Sequence, residues 1–488
     1  MEATRIPVLV GIGTATQREE DWRRAREPLD LMLDAVRAAA ADSGAPALLT
    51  EVDYLAVPHG RWHYRNPGGA LAREVGARHA QSVFATVGVL QQSLIGEACA
   101  RIAAGKARAT LVVGGDCGYR LLRASIAGDE VQERQQDDLP DVHLAPKDAL
   151  FHPVEQALGL TMPIGLYALI ESAWRQRHGW SLAEHRARLG ALYARFSDIA
   201  ADNPHAWRRE RRAATDIVAP GPRNPMQAFP YTRALCSTFN VDQAGALLFC
   251  SAARADELGI GHERRVYPLA STESNHQVSV SARADLTACP GARLAGQRAL
   301  DTAGLLIDEI DLVELYSCFP AAVEIYAAEL GIDLARDVTL TGGMSFAGGP
   351  WNNYVLQATC RAAQLLRAAR GRHALVSSVS GMLTKQGFGL FSASPPTQPF
   401  EWQDVSADTA RAQATVEVLA SHTGRARLAA CTTVYRRDQA PGLLALVDTP
   451  NGRRALVSHA APSVVARVEA EEWVGREVRV RGTELTLD

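Results

Sequence analysis

One unit of this chain is written twice. "GVLQQSLIGEACARIAAGKARATLVVGG" begins at Gly88 and "GPWNNYVLQATCRAAQLLRAARGRHALVSSVSG" begins at Gly349. In each, a glycine is followed eleven residues later by a cysteine, Cys99 or Cys360, inside an amphipathic helical run. A basic, glycine-containing turn follows, then a β-type run that ends in glycine. Any α/β protein repeats helix, turn and strand, but the shared glycine-to-cysteine offset argues for duplication and a core of two-fold pseudo-symmetry.

The flanking sequence supports layers of helix and sheet. "PVLVGIG" (7–13), "VDYLAVP" (52–58) and "ATLVVGG" (109–115) read as strands, separated by helical runs such as "PLDLMLDAVRAAAADSG" (28–44). That alternation is the βαβ signature. From about 125 to 235 the character changes to a charged stretch (Asp129–Asp141), helices, and a Pro/Gly-rich segment, "VAPGPRNP" (218–225). One of these helices, "SLAEHRARLGALYARFSDIAA", opens with a capping box, Ser181 and Glu184. A helical insertion is expected here. The α/β pattern resumes at "DQAGALLFCSAARADELGI" (242–260) and runs to about Ser394. After "SASPPTQP" (392–399), a linker by composition, short alternating runs carry an Asn-Gly hairpin signal in "DTPNGRRA". They imply a small all-β module, most economically a five-stranded OB-like barrel, with a sandwich as the alternative. The expected division is 1–241 with the insertion at about 125–235, then 242–398, then 399–488.

Several function classes fall away on composition. A net charge of −3 offers no basic excess for nucleic acid. The longest apolar runs, such as "ALLFC" (Ala246–Cys250), are far short of the ~20 residues of a membrane span. "MEATRIPVLVGIG" lacks a signal-peptide pattern, and the expected location is cytoplasmic. The eight cysteines form no CxxC pair, so they read as core thiols and not as a disulfide framework or zinc site.

Taken in order, the motifs resemble the thiolase superfamily over most of residues 5–398. "RIAAGKARATLVVGGD" is similar to the helix and strand after a thiolase nucleophile, and "VDQAGALLFCSAARADELG" to the start of the second half. "EIDLVELYSCFPAAVE" stands where thiolases carry an Asn-Glu-Ala-Phe motif and sterol-carrier-type thiolases His-Asp-Cys-Phe. "TGGMSFAGGP" matches their Gly-Gly…Gly-His-Pro loop. The best likeness is to the thiolase-like proteins, often labelled acetyl-CoA acetyltransferases, that add a small C-terminal domain. The resemblance implies an α/β layered fold of two pseudo-symmetric βαβαβ halves with a helical loop insertion. It implies coenzyme A or an acyl-CoA as ligand, no permanently bound cofactor, and a possible homodimer or partner subunit.

A thiolase uses a nucleophilic Cys at a helix start, a His in the Gly-His-Pro loop, a second Cys in a Cys-x-Gly turn, and an Asn or His that orders an oxyanion-hole water. Carried over by position, the nucleophile becomes Gly88 (Val89 if the alignment slips) and the histidine Gly349. The second cysteine maps next to Gly381, at Ser378, Val379 or Ser380, and the Asn/His position is Tyr316, followed by Ser317 and Cys318. Loss of a covalent nucleophile alone costs on the order of 10⁴–10⁶ in kcat, so ordinary thiolysis is not expected.

Three side chains remain as candidates. Tyr316 is either a polar cavity liner or a proton donor to an enolate or alkoxide, as the resemblance to thiolase-fold aldolases that lack the nucleophile implies. Cys318 occupies a packing position of the motif, and Ser380 caps or lines the turn. Cys99 is read as core, and His63, His152 and His276 are linked by no metal-ligand spacing, so no metal site is expected. In "HAWRRERRAATD" (205–216), Arg208, Arg209, Arg211 and Arg212 beside Trp207 offer contacts to CoA phosphate or adenine. The alternative there is a solvated helix face with Glu210 pairs. Two functions follow: an acyl-CoA-associated protein, nominally an acyltransferase, that binds a thioester or performs nucleophile-independent C–C chemistry, or a non-catalytic scaffold.

Overall fold

The computed structural model describes residues 2–436 and 439–486. The first half alternates β1 (Pro7–Gln17), α1 (Pro28–Ser43), β2 (Val52–Pro58), α2 (Pro67–Val75), β3 (Gln81–Ala85), α3 (Gln91–Ala103) and β4 (Ala109–Cys117). Helix α1 has Pro28 in its first turn and stops at Gly44 in the left-handed region. It lies so close to β1 that a Cβ on Gly13 would sit 1.9 Å from the Ala35 carbonyl oxygen. Only glycine permits that approach.

The insertion contributes α4 (Gly118–Ile126), β5 (Val142–Leu144), α5 (Pro153–Ala157), α6 (Pro163–Arg177), α7 (Leu182–Ala201), α8 (Ala214–Val218), β6 (Met226–Ala228) and β7 (Tyr231–Thr232). It is therefore not purely helical. The Ser181/Glu184 box closes α7 as expected, but residues 205–212, expected on a helix face, are not helical. No helix forms there; instead, Trp207 N and Arg208 N donate to the carbonyls of Ala347 and Phe346.

Strand β8 (Asp242–Ser251) follows, then α9 (Ala252–Glu257), β9 (Tyr267–Ser274), α10 (Pro290–Ala303), β10 (Leu312–Glu314), α11 (Pro320–Leu330), α12 (Gly343–Phe346), α13 (Tyr354–Arg367), β11 (His373–Ser380) and β12 (Lys385–Ser392). The sequence reading opens the second half at 242, whereas β8 pairs antiparallel with both β1 and β4 in the first sheet. By pairing, residues 242–251 go with the first half: every residue of β8 is buried, as a strand inside a covered sheet must be.

Duplication is visible in the strand order. The first sheet runs β1-β8-β4-β2-β3-β5, and the second runs β10-β11-β12-β9 before ending on β13 (Glu401–Asp404). Read from its first strand, the first half runs β1-β8-β4-β2 and the second β9-β12-β11-β10, each with antiparallel, antiparallel and parallel pairings in turn. Helices α3 and α13 form the middle layer: α3 packs on β4 and on β9 of the other sheet, α13 on β11 and on β8. Burial from both sides explains why the repeated cysteines are core thiols, Cys99 at 0% and Cys360 at 1% exposure.

Residues 401–412 depart from the expected β-module. Strand β13 pairs in parallel with β9, and α14 (Ser406–Ala412) lies on α10. The anchor is Trp402, whose ring fills the space left by Gly96 of α3. The module itself comprises β14 (Val418–Leu419), β15 (His422–Val434), β16 (Gly442–Asp448), β17 (Arg454–His459), α15 (Pro462–Ala470), β18 (Glu477–Gly482) and β19 (Glu484–Thr486). Pairings β15-β16-β17-β19-β18-β15 close a five-stranded barrel, not a sandwich, with its own apolar core. The Asn451-Gly452 turn joins β16 to β17, with Gly452 left-handed. Helix α6 ties the barrel to the core: Arg175 Nε donates to Glu472 at 2.6 Å, and the Ser172 hydroxyl accepts from Cys431 N.

Candidate functional site

The starts of α3 and α13 face each other. Gln91, at the first position of α3, accepts through Oε1 from Val355 N (2.7 Å) and donates through Nε2 to Asn352 Oδ1 (3.2 Å). Just before these helices the chain turns at Gly88 (φ +105°) and Gly348 (φ +104°). The hairpin between β11 and β12 joins them, since Lys385 Nζ donates to the Gly88 carbonyl at 3.0 Å. Burial lowers the Lys385 ammonium from its ordinary range. The structure thus brings the segments of Gly88, Gly349 and Gly381 together. Gln91 and Lys385, which make the junction, were not singled out by sequence reasoning; the available signal was a lone charge, Lys385, in a hairpin otherwise uncharged over 374–392.

The glycines leave no room for thiolase side chains. A Cβ on Gly88 would lie 2.8 Å from Pro146 Cγ, and one on Gly349 would lie 2.2 Å from Ser237 Oγ and 2.8 Å from Met344 Cε. At Gly381 (φ +68°) it would meet Thr384 Oγ1 at 2.2 Å and Leu150 Cδ1 at 2.5 Å. Pro146 and Leu150 come from the insertion, between β5 and α5. Ser380 closes the turn: its carbonyl accepts from Thr384 Oγ1 at 2.8 Å.

Tyr316 and Cys318 lie on the connection from β10 to α11. Tyr316 is 7% exposed, its ring set edge-on to Tyr354 at 5.7 Å. Burial, with Cys318 beside it, pushes its hydroxyl well above the ordinary range, so it stays protonated at neutral pH. Burial likewise pushes the Cys318 thiol up to about 12. Its polar neighbour is Tyr167, whose hydroxyl donates to the Gly381 carbonyl (3.0 Å) and accepts from Leu383 N (3.1 Å). Cys318 therefore lacks the electropositive setting of an activated thiolate.

Two neighbours of Tyr316 hold the following loop: Glu314, which escaped the sequence reading, and Ser317, which was named there without a role. Glu314, fully buried, accepts from Thr339 Oγ1, Leu340 N, Thr341 N and Tyr354 Oη at 2.5–3.0 Å. Ser317 Oγ accepts from Met344 N at 2.9 Å. Their contacts span loops distant in sequence, which no local pattern announces.

Of the four arginines, Arg211 is taken by Asp198 and Asp202, and Arg209 by the Ala201 carbonyl. Arg208 is different. Burial, with Arg233 and Arg212 nearby, lowers it to about 10, and it remains a cation at neutral pH beside the turn of Gly349.

Two opposed helix starts, with a hairpin and an insertion folded across them, make up the candidate site, and comparisons with known proteins place the fold that carries it. Residues 272–335 match the family described as "Thiolase C-terminal domain-like". An acetyl-CoA acetyltransferase of Methanocaldococcus jannaschii is 25% identical over 194 residues, 40% of this chain and 47% of that one. The chain spans about half the length of the curated relatives it matches. The crystal structure of a monomeric SCP2-thiolase-like protein from Mycobacterium smegmatis is similar over 100% of both chains, at 26% identity and a TM-score of 0.83. Human mitochondrial 3-ketoacyl-CoA thiolase in complex with CoA shares the fold, at 16% identity over 81% of this chain and 99% of that one, with a TM-score of 0.57. The chain belongs to the thiolase superfamily. Among the described residues, no helix is long and apolar enough to cross a membrane.

Proposed function

We propose that this protein binds an acyl-CoA thioester on the thiolase scaffold and does not form an acyl-cysteine. The observation that carries the reading is the occlusion of Gly88 and Gly349: where a thiolase keeps its nucleophile and histidine, Pro146, Ser237 and Met344 occupy the space. Arg208, with Arg212 and Arg233, is the proposed contact for the CoA phosphates, since Arg208 and Arg212 are half-buried and the exposed Arg233 lies close enough to act on Arg208. If chemistry occurs, Tyr316 is the proposed donor: a phenol kept neutral by burial suits hydrogen-bond donation to an enolate or alkoxide. The same reading divides the chain into two core halves, an insertion and a terminal barrel.

Titration calorimetry against CoA and a panel of acyl-CoA esters tests it. Saturable binding is expected, weakened about tenfold by Arg208→Ala, the loss of one charge-assisted contact. Thiolysis of acetoacetyl-CoA at ordinary thiolase rates, with a labelled acyl group on a cysteine, would overturn it. A second reading, a non-catalytic scaffold, is favoured by the insertion segment laid over the Gly88 and Gly381 turns; it predicts no CoA binding at all.

A further inference from the structure

Behind the Tyr316–Cys318 connection lies a group of side chains that the acyl-CoA reading does not use. Glu171 of α6, His185 of α7 and Glu324 of α11 are 0%, 0% and 5% exposed, and one donor atom from each converges so that all three lie within 4.8 Å of one another. His185 Nε2 is 2.6 Å from Glu171 Oε1, and the Tyr231 hydroxyl donates to Glu171 Oε2, also at 2.6 Å. Trp180 stacks parallel to the imidazole. Despite full burial, His185 Nδ1 and Glu324 Oε2 have no hydrogen-bond partner.

We propose that Glu171, His185 and Glu324 form a metal site that takes one divalent transition-metal ion, zinc foremost, and so clamps the insertion helices α6 and α7 to α11 of the second half. Two carboxylates brought together in an apolar interior repel each other. A dication held by two carboxylates and a neutral imidazole balances the charge and satisfies the orphaned oxygen. One nitrogen and hard oxygens, with no thiolate, is a donor set suited to Zn²⁺, and zinc stands high in the affinity order for such sites. Tyr231 orients the ligating Glu171, the role an outer hydrogen bond plays around a metal.

Sequence inspection had no access to this group, because its members stand at 171, 185 and 324 without local spacing. The consequence is structural. Helix α6 carries Tyr167, which holds the Gly381 turn, and Ser172 and Arg175, which hold the barrel. A metal at Glu171 would fix all three connections at once.

Metal analysis of the full-length chain tests this independently of any acyl-CoA binding. The chain as purified, or refolded with Zn²⁺ after chelator treatment, is expected to hold about one equivalent and to melt several degrees above the chelated form. His185→Ala and Glu324→Gln, checked for fold by circular dichroism, are expected to hold none. With Co²⁺ in place of zinc, a visible absorption band is expected that Glu324→Gln abolishes. A folded chain that takes up no metal from Zn²⁺, Mn²⁺ or Co²⁺ and melts unchanged, with Glu324→Gln more stable than the parent, would overturn the proposal and assign the three groups to proton sharing.

Discussion

The two halves of the core share one strand order yet are covered by different parts of the chain. On the first half, the insertion adds β5 to the free edge of β3 and lays Pro146 against Gly88. On the second, a segment beyond β12 adds β13 to the edge of β9, while Ser237 and Met344 crowd Gly349 from beside the turn itself. The duplicated interior is thus symmetric and its wrapping is not. The two glycine turns are closed by unrelated means: one by Pro146 of the insertion, the other by Ser237 and Met344 beside the turn. Ser237 N donates to the Cys318 carbonyl, and Met344 N to Ser317 Oγ.

That difference is open to attack at its strong end first. Gly349→His restores the thiolase residue in name, but its Cβ alone meets Ser237 Oγ at 2.2 Å. The expected loss is about 3–4 kcal/mol, at the upper end of the usual cost of overpacking, because a whole imidazole enters a buried position and both side-chain tips must turn aside to admit it. Urea unfolding measures it, and no thiolysis is expected to return. A variant as stable as the parent would mean that the second half's site is open after all. Gly88→Cys is expected to cost less, about 2–3 kcal/mol, from a left-handed backbone and the contact with Pro146. Adding Pro146→Gly should recover about 1 kcal/mol of that loss, a coupling seen in a double-mutant cycle. The same Pro146 change added to Gly349→His should recover nothing; equal recovery would erase the distinction between the halves.

Much of this arrangement was legible in the residues. The paired Gly/Cys offset announced the duplicated topology, and the Ser181/Glu184 box and Asn451-Gly452 turn marked their elements. What escaped notice did so for physical reasons. Strand β8 is buried on both faces, so its run carries no alternation to say which sheet it joins. Strands β5, β6, β7 and β13 are two to four residues long, too short for any period to show. Residues 205–212 have the charge spacing of a helix, but their backbone donates to Phe346 and Ala347 and not within a helix. Gln91 to Asn352 and Lys385 to Gly88 are single contacts across 261 and 297 residues.

The smallest expected effect concerns the edge that β5 covers. The Asp141 carboxylate accepts from Ser82 N at 2.8 Å and Ser82 Oγ at 2.7 Å, fastening the segment before β5 to β3. Those hydrogen bonds lower its pKa from the ordinary value. A carboxylate held low contributes stability that is complete above its unfolded pKa, about 3.9, and is lost as pH falls through the lower folded value. Asp141 is exposed, so solvent screening keeps the contribution under about 1 kcal/mol. Hydrogen exchange at the β3 amides reads it directly: protection should fall between pH 5 and pH 3, roughly the carboxylate titration range. Asp141→Asn should show the lower protection already at the higher pH and lose the dependence. Because a bared β3 presents unpaired backbone groups, the same variant should also raise the fraction of dimer in light scattering. If protection changes instead at the β9 edge, or at both edges alike, the covering of β3 by β5 is not what sets the first half apart.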